Sequence, residues 1–467
     1  MKPAERIGAE KEVEISLLTQ AKSTESAGNV NECVKRTETK SKENEYPKET
    51  ESLVDRMVER RNMNTAYIRV MKNDGAAGVD GITTKELRAY VEKNWVVIRK
   101  ELLEGEYKPN PVRRVEIEKP NGGVRQLGIP TVMDRLIQQA MYQVLEPIFE
   151  PTFSENSFGF RKNRGAHDAI RACKGYVKEG RKYVVDMDIR KFFDEVDHII
   201  LIGKIRAKIE DKKMIKLIKA YLEAGVMLEG RVEPSDKGTP QGGPLSPLLS
   251  NIMLDELDKE LEKRGHSFAR YADDCNIYVK SKRAGKRVFE SISGFLKNIL
   301  MLTVNTEKSS VDLASKRKFL GYTIILGKEP RINVAKESVI RLKDKLKKVF
   351  NNMKYLPMNR LIQELNKILA GWIEYFKLSE TKAFAEITDE WVRRKLRRKI
   401  WKDWKNPWTR AKNLKNLGIN EARAFKSGFN GRGNWWNAGS KHMNQACPNK
   451  YFKELKLVFM AERLAVA

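Results

Sequence analysis

Four aspartates sit where chemistry could be done. Asp186 and Asp188 lie two apart in YVVDMDIRKFF, so on a strand they share one face. Asp273 and Asp274 are adjacent in FARYADD, between apolar runs that alternate like two short strands joined by a tight turn. Asp is a common turn residue, and a lone pair at a hairpin carries no chemistry by itself. If the strand ending at Asp188 lies beside that hairpin, Asp188 and Asp273 come within reach of one metal ion. Carboxylates gathered at a sheet end repel each other unless a cation joins them. Oxygen ligands with little His or Cys nearby favour Mg²⁺. Two such ions can bridge an attacking hydroxyl and a leaving phosphate in nucleotidyl transfer. Two unrelated solvated carboxylate sites are the alternative that spacing leaves open.

Elements able to position such a site follow one another along the chain. Residues 51–110 show helical periodicity broken at NDGAAGVDG (73–81), and 111–129 read as a hairpin about Pro120-Asn121-Gly122-Gly123. Helices are expected over 132–149, 164–179, 201–223 and near 282–301, with strands again over 316–334. The chain after about 336 is mainly helical. One helix is marked by Val339, Leu342, Leu346, Val349 and Phe350, a second by Leu361, Leu365, Ile368, Leu369, Trp372, Ile373 and Phe376. Mixed strands and covering helices followed by a helical end make an α+β fold with an appended helical region. Residues 1–50 are polar, with 9 basic and 10 acidic residues, and are expected to be disordered.

Charge narrows the partners. The chain carries 90 Lys plus Arg against 62 Asp plus Glu, a net +28 over 467 residues, which favours attraction to a polyanion. Residues 331–467 hold 31 basic and 12 acidic residues, net +19, and seven of the eight tryptophans follow residue 371. Cations beside aromatics can hold phosphates and stack on unpaired bases. Arg393, Arg394, Arg397 and Arg398 are expected to be more exposed than the tryptophans, which would build a helical core. Cys33, Cys173, Cys275 and Cys447 form no CxxC pair, which speaks against a zinc finger or disulfide framework. No run approaches a membrane span and the N-terminus lacks an apolar signal region, so a soluble cytoplasmic protein without membrane contact is expected.

Eight blocks stand in a fixed order: NDGAAGVDG (73–81), KPNGGVRQLGIPTVMDRLIQQA (119–140), SFGFRKNRGAHDAI (157–170), VVDMDIRKFFDEVDH (184–198), GTPQGGPLSPLLSNIMLDELD (238–258), FARYADD (268–274), NTEKSS (305–310) and KFLGYTI (318–324). In that order they resemble the motifs of reverse transcriptases, most closely those encoded by bacterial group II introns, over roughly residues 55–467. The resemblance implies a right-hand polymerase followed by a mainly α-helical maturase domain: fingers and palm over 51–335, thumb over 336–385, and the RNA-binding maturase (X) domain over 386–467. It implies a catalytic carboxylate set of Asp188, Asp273 and Asp274 holding two Mg²⁺ ions, with the Ile189 carbonyl contributing.

Further roles come with the family. Lys119 and Arg125 would hold the incoming triphosphate, Phe193 would exclude a ribose 2′-hydroxyl, and Gln241 would lie beside the nucleotide. Lys308 resembles a lysine that protonates the leaving pyrophosphate. Arg161, Lys162 and Arg164 would reach template phosphates, and Arg393, Arg394, Arg397 and Arg398 intron RNA. The implied partners are group II intron RNA, an RNA template with a DNA primer, dNTPs and target DNA. The implied location is the bacterial cytoplasm, on the nucleoid when target DNA is bound. The chain shows neither the histidines nor the cysteine pairs of the HNH-type endonuclease region that many relatives carry. Insertion is therefore expected to be primed from a nick, a replication fork or another existing 3′ end. A retron, diversity-generating or phage-defence enzyme, or a splicing factor without polymerase activity, would be the alternatives.

Overall fold

The computed structural model describes residues 52–466, apart from 119–122, 229–230, 234 and 353–354. The polar extension expected over residues 1–50 lies outside the described residues. Ten strands are described: β1 (Val112–Glu118), β2 (Val124–Ile129), β3 (Tyr183–Asp188), β4 (Val226–Leu228), β5 (Arg231–Glu233), β6 (Ser267–Tyr271), β7 (Asp274–Val279), β8 (Ser310–Leu313), β9 (Tyr322–Ile325) and β10 (Arg331–Val334). They form a fingers sheet in the order β2-β1-β4-β5, a palm sheet in the order β6-β7-β3-β8, and a β9–β10 pair. The fold is α+β, three sheets with covering helices followed by a helical end.

The central strand β3 is apolar on both faces. Val185 and Met187 enter the main core, while Val184 packs with Tyr278 in a smaller cluster on the other side. A strand buried twice can carry polar groups only where they are paired or lie at its end. Asp186 is paired and Asp188 is at the end. The helix Lys282–Ile299 lies close against this sheet through Gly285, where a Cβ would stand 2.4 Å from a Val311 methyl.

The helix Val132–Phe149 begins where Thr131 accepts a hydrogen bond from the Asp134 backbone N–H. The buried Asp134 carboxylate in turn accepts from Thr131 (2.6 Å), Tyr107 (2.9 Å) and Tyr221 (3.2 Å), which ties the fingers helices together. The single helix expected over 201–223 is instead two, His198–Arg206 and Lys212–Glu223. Asp211 restarts the second by accepting from the backbone N–H groups of Lys213 and Met214. Its other oxygen accepts from Ser52, at 2.7 Å.

Beyond the palm, the helices Lys336–Asn351, Met358–Phe376 and Ala383–Asp403 share one core with the short helices that follow, from Leu342 through Leu464. Packing therefore draws no line between the segments expected as thumb and as maturase domain. Trp401 is fully buried there, but Trp408, Trp435 and Trp436 are exposed. The expectation of exposed arginines and buried tryptophans is corrected on both sides, since Arg397 is only 6% exposed. The helix Ala383–Asp403 is covered on several sides, so parts of its basic run turn inward. Among the described residues no helix is long and apolar enough to cross a membrane.

This second core contains a pH-sensitive group. His442 is buried against Trp401, with ring centroids 5.3 Å apart. Burial, then the charge of Arg423, pushes its pKa down to about 4. The fold thus keeps the imidazole neutral, whereas the unfolded chain protonates it near pH 6.5. Its contribution is intact above that pH and is lost as pH falls toward 4, by on the order of 2 kcal/mol. His442→Gln is expected to lose less stability than the native chain between pH 7 and 4.5 in urea unfolding. Equal losses would show that His442 is not the cause.

Candidate active site

Strand pairing brings the aspartates together. In the β3–β7 pair Asp188 stands opposite Asp274 and Asp186 opposite Asn276. In the β6–β7 hairpin Tyr271 pairs with Asp274, so Ala272 and Asp273 form the two-residue turn. Asp274 is open to solvent by surface area, yet chain crowds its carboxyl. Desolvation, followed by the charges of Asp273, Asp186 and Asp188, pushes its pKa up to about 7. Asp186 lies farther in, and burial raises its pKa even though Arg317 donates to it at 3.0 Å. Among the described residues no three His, Cys, Asp or Glu side chains form a ready-made metal-ligand group. The site is an open set of like charges. Its oxygen ligands and its excess charge fit a hard divalent cation, which would cancel the repulsion that now favours a proton.

The Asp188 backbone is held from the segment before β8. Its N–H donates to the Ser309 hydroxyl at 2.9 Å, and its carbonyl accepts from the Asn305 N–H at 2.8 Å. That segment also carries Lys308, whose Nζ is 3.7 Å from an Asp188 oxygen, and Ile189 is buried just beyond.

The turn is held by a group that sequence reasoning missed. Arg270 is fully buried, and all five of its N–H donors are used. Nε and Nη2 bind the two oxygens of Asp258 at 2.7 and 2.5 Å. The other bonds run to the Asn251 side chain (3.0 Å), the Ser157 hydroxyl (2.8 Å) and the Ala272 carbonyl (3.0 Å). Burial opposes its charge, but Asp258 outweighs burial and raises the guanidinium's pKa. Ala272 has φ +59, a conformation that costs a non-glycine residue roughly 1 kcal/mol or more. Arg270 grips the carbonyl of that strained residue, next to Asp273. Gly159 completes the clamp: a Cβ there would stand 2.3 Å from the Ala272 nitrogen. The blocks SFGF and LSNIMLDELD are thus structural supports of FARYADD.

Phe193 and Gln241, expected beside the nucleotide, line one cavity of about 260 Å³ with Arg114 and Gln126 of the fingers hairpin. The loop bearing Gln241 is pinned on two sides. Thr239 N–H donates to the Phe193 carbonyl at 2.7 Å, and Gly128 N–H to the Gln241 carbonyl at 2.9 Å. Phe192 is buried and meets the Phe193 ring edge-on, with centroids 5.2 Å apart. Lys119 lies outside the described residues. Arg125 is on β2 opposite Ile117, with its side chain outside the described set.

Two of the expected template cations are committed elsewhere. Arg161 is buried, bound to Glu150 at 2.9 Å and to the carbonyls of Ser154 and Ser157. It anchors its loop rather than facing phosphates, because those carbonyls have been taken out of water and need donors. Arg164 pairs with Glu155, both side chain and carbonyl. Lys162 is exposed, beside Arg56, Arg61 and Arg69 around a cavity of about 780 Å³. In the C-terminal helix, Arg397 donates to the Cys447 carbonyl at 3.0 Å, and Arg393, Arg394 and Arg398 are half-buried.

Comparison with known proteins agrees with this geometry. Residues 117–324 match the family "Reverse transcriptase (RNA-dependent DNA polymerase)", and residues 339–418 match "Group II intron, maturase-specific domain". The second match begins inside the segment expected as thumb. "Protein YkfC" of Escherichia coli is 35% identical over 288 residues, covering 53% of this chain and 75% of that protein. "Group II intron-encoded protein LtrA" of Lactococcus lactis subsp. cremoris is 32% identical over 359 residues, covering 60% of each chain. The chain therefore spans three quarters of YkfC but only 60% of the length of LtrA. With the palm carboxylates on one sheet edge and a maturase-specific region behind them, the chain belongs to the group II intron-encoded reverse transcriptases, a family of RNA-directed DNA polymerases.

Proposed function

We propose that this chain extends a primer 3′ end with deoxynucleotides on an RNA template, and that its basic helical end holds group II intron RNA and assists its splicing. The observation that carries the reading is the register of Asp188 against Asp274 beside the turn residue Asp273. When bound by Asp188, Asp273, Asp274 and the Ile189 carbonyl, two Mg²⁺ ions would supply activation of the primer hydroxyl and charge stabilisation of the leaving pyrophosphate. Arg270 fixes the turn so that Asp273 keeps one position. Lys308, whose Nζ is 3.7 Å from an Asp188 oxygen, would give a proton to pyrophosphate. Lys119 and Arg125 act on the triphosphate from the fingers hairpin. Residues 336–385 serve as thumb and 386–467 as the RNA-holding region, within their shared core. Target DNA would supply the 3′ end during intron mobility.

Phe193 carries sugar selection. It lines the same cavity as Gln241 and is backed by Phe192, so it cannot easily turn away. Phe193→Val is expected to raise ribonucleotide incorporation relative to deoxynucleotide by roughly 10- to 100-fold. Single-nucleotide kcat/KM for each sugar would measure it, and an unchanged ratio would remove Phe193 from this role.

The whole reading is tested in one preparation: primer extension on an RNA template with dNTPs and Mg²⁺, and splicing of the flanking transcript at low Mg²⁺. Activity in both is expected. A folded chain that does neither overturns the proposal. Extension without splicing would favour a retron-like or defence enzyme, against which the maturase-specific match over residues 339–418 speaks.

A further inference from the structure

A second concave site lies outside the palm. A cavity of about 620 Å³ opens beside the helix Ala383–Asp403, lined from that helix by Arg393, Arg394 and Arg397. Asn444 and Lys450 line it from the short helices Lys441–Ala446 and Asn449–Glu454. Glu390 is the single acid among the lining residues, against four cations. The Nε atoms of Arg393 and Arg394 are buried without a hydrogen-bond partner among the described residues. Arg397 is 6% exposed, and burial followed by the charge of Arg393 lowers its pKa. Donors and charges gathered this way are costly unless something negative enters.

The backbone is shaped for the cluster. Gly439 has an ordinary right-handed conformation, φ −101, so alanine would fit it sterically but for one contact. A Cβ there would stand 2.9 Å from the guanidinium of Arg394. Beside the cavity, the exposed Trp435 carries Arg394 over its ring at 4.2 Å, and the exposed Trp436 carries Arg432 at 4.1 Å. A free anion has no use for neighbouring indoles, whereas an unpaired base next to a held phosphate does.

We infer that this pocket grips a backbone phosphodiester of bound RNA, with Arg393, Arg394 and Lys450 as donors and an adjacent base against the Trp435–Trp436 surface. The inference rests on the reading that the helical end holds intron RNA, and it names where. Arg397 supplies positive potential from the wall and holds the Cys447 carbonyl. The site takes a non-bridging phosphate oxygen through charge-assisted, fork-like hydrogen bonds.

The test uses the full chain and its flanking transcript. Arg393→Gln with Lys450→Gln is expected to weaken transcript binding roughly 10-fold and to lower the slope of log affinity against log salt by about one or more. Gly439→Ala removes no charge but displaces Arg394, and is expected to weaken binding in the same direction. Lys405→Gln with Lys412→Gln, an equal charge loss on exposed positions, is expected to do markedly less. Transcript affinity and salt slope equal to wild type in the folded Arg393/Lys450 and Gly439 variants would overturn the inference. So would an equal effect of the Lys405/Lys412 pair. Wild-type affinity for a DNA strand of the same sequence equal to that for the transcript would overturn the assignment to RNA. Saturable binding of inorganic phosphate that leaves transcript affinity unchanged would mark a free-anion site and overturn it too. Failure of the underlying reading looks different: the wild-type chain itself would neither bind the transcript nor extend a primer.

Discussion

Asp188→Asn and Asp273→Asn, made singly, are each expected to cut primer extension by at least about 10³-fold while transcript affinity stays within about twofold. Asparagine keeps the shape of aspartate, so the β3–β7 pairing and the two-residue turn survive. What goes is a formal charge from a crowded set in which desolvation, followed by the neighbouring carboxylates, already raises Asp274 to about 7. A hard cation loses its strongest ligand, while the surface carrying a net +19 over residues 331–467 is untouched. Single-nucleotide incorporation across a Mg²⁺ titration, with filter binding of the transcript, separates the two effects. Equal loss of both in a folded variant would falsify the placement of catalysis at this sheet edge.

The second large effect is at Arg270, which touches no substrate. Arg270→Met leaves Asp258 buried and unpaired, which is expected to destabilise the chain by about 3 to 5 kcal/mol. It also frees the Ala272 carbonyl, so extension should fall with it. The double change Arg270→Met with Asp258→Leu removes both charges, and most of the stability is expected to return. Activity is not, because the strained Ala272 turn still lacks its donor; kcat is expected to stay at least 10-fold down, with KM for the nucleotide moved much less. Arg270→Lys keeps the charge but cannot reach five acceptors, and should fall between. Full recovery of kcat in the double variant would mean that Arg270 matters only to folding.

Much of this site was legible because its signals are local. The helix Val132–Phe149 carries its own cap at Thr131 and a long apolar face, and its ends fall where the pattern puts them. The FARYADD turn is bounded by alternating strands, and β3 ends at Asp188. The support at Arg270 was not legible. Its partner Asp258 sits in LDELDKELEK, where acids and bases on a helix read as a solvated face. Only the approach of β6 to that helix buries both. The break at 207–211 was missed because Asp211 serves as a cap at a place where apolar spacing runs on across the gap. Arg397 misled for the same reason as Asp258; Arg161, in a basic loop, misled because only the fold brings the Ser154 and Ser157 carbonyls to it. Periodicity assigns a residue to a face, but tertiary packing decides whether that face meets water.

The common core running from Leu342 to Leu464 has a bearing on how such a chain can change over generations. The helices expected to steady a growing duplex and those expected to clasp the transcript are buttresses of one another. Deleting the second set would strip Trp401, Phe452 and Met460 from beneath the first. Copying and splicing are therefore welded at this point: a lineage shedding one trade by truncation here would forfeit the scaffold of the other. Loss of either should come instead through point changes at the palm turn or on the outer cationic surface.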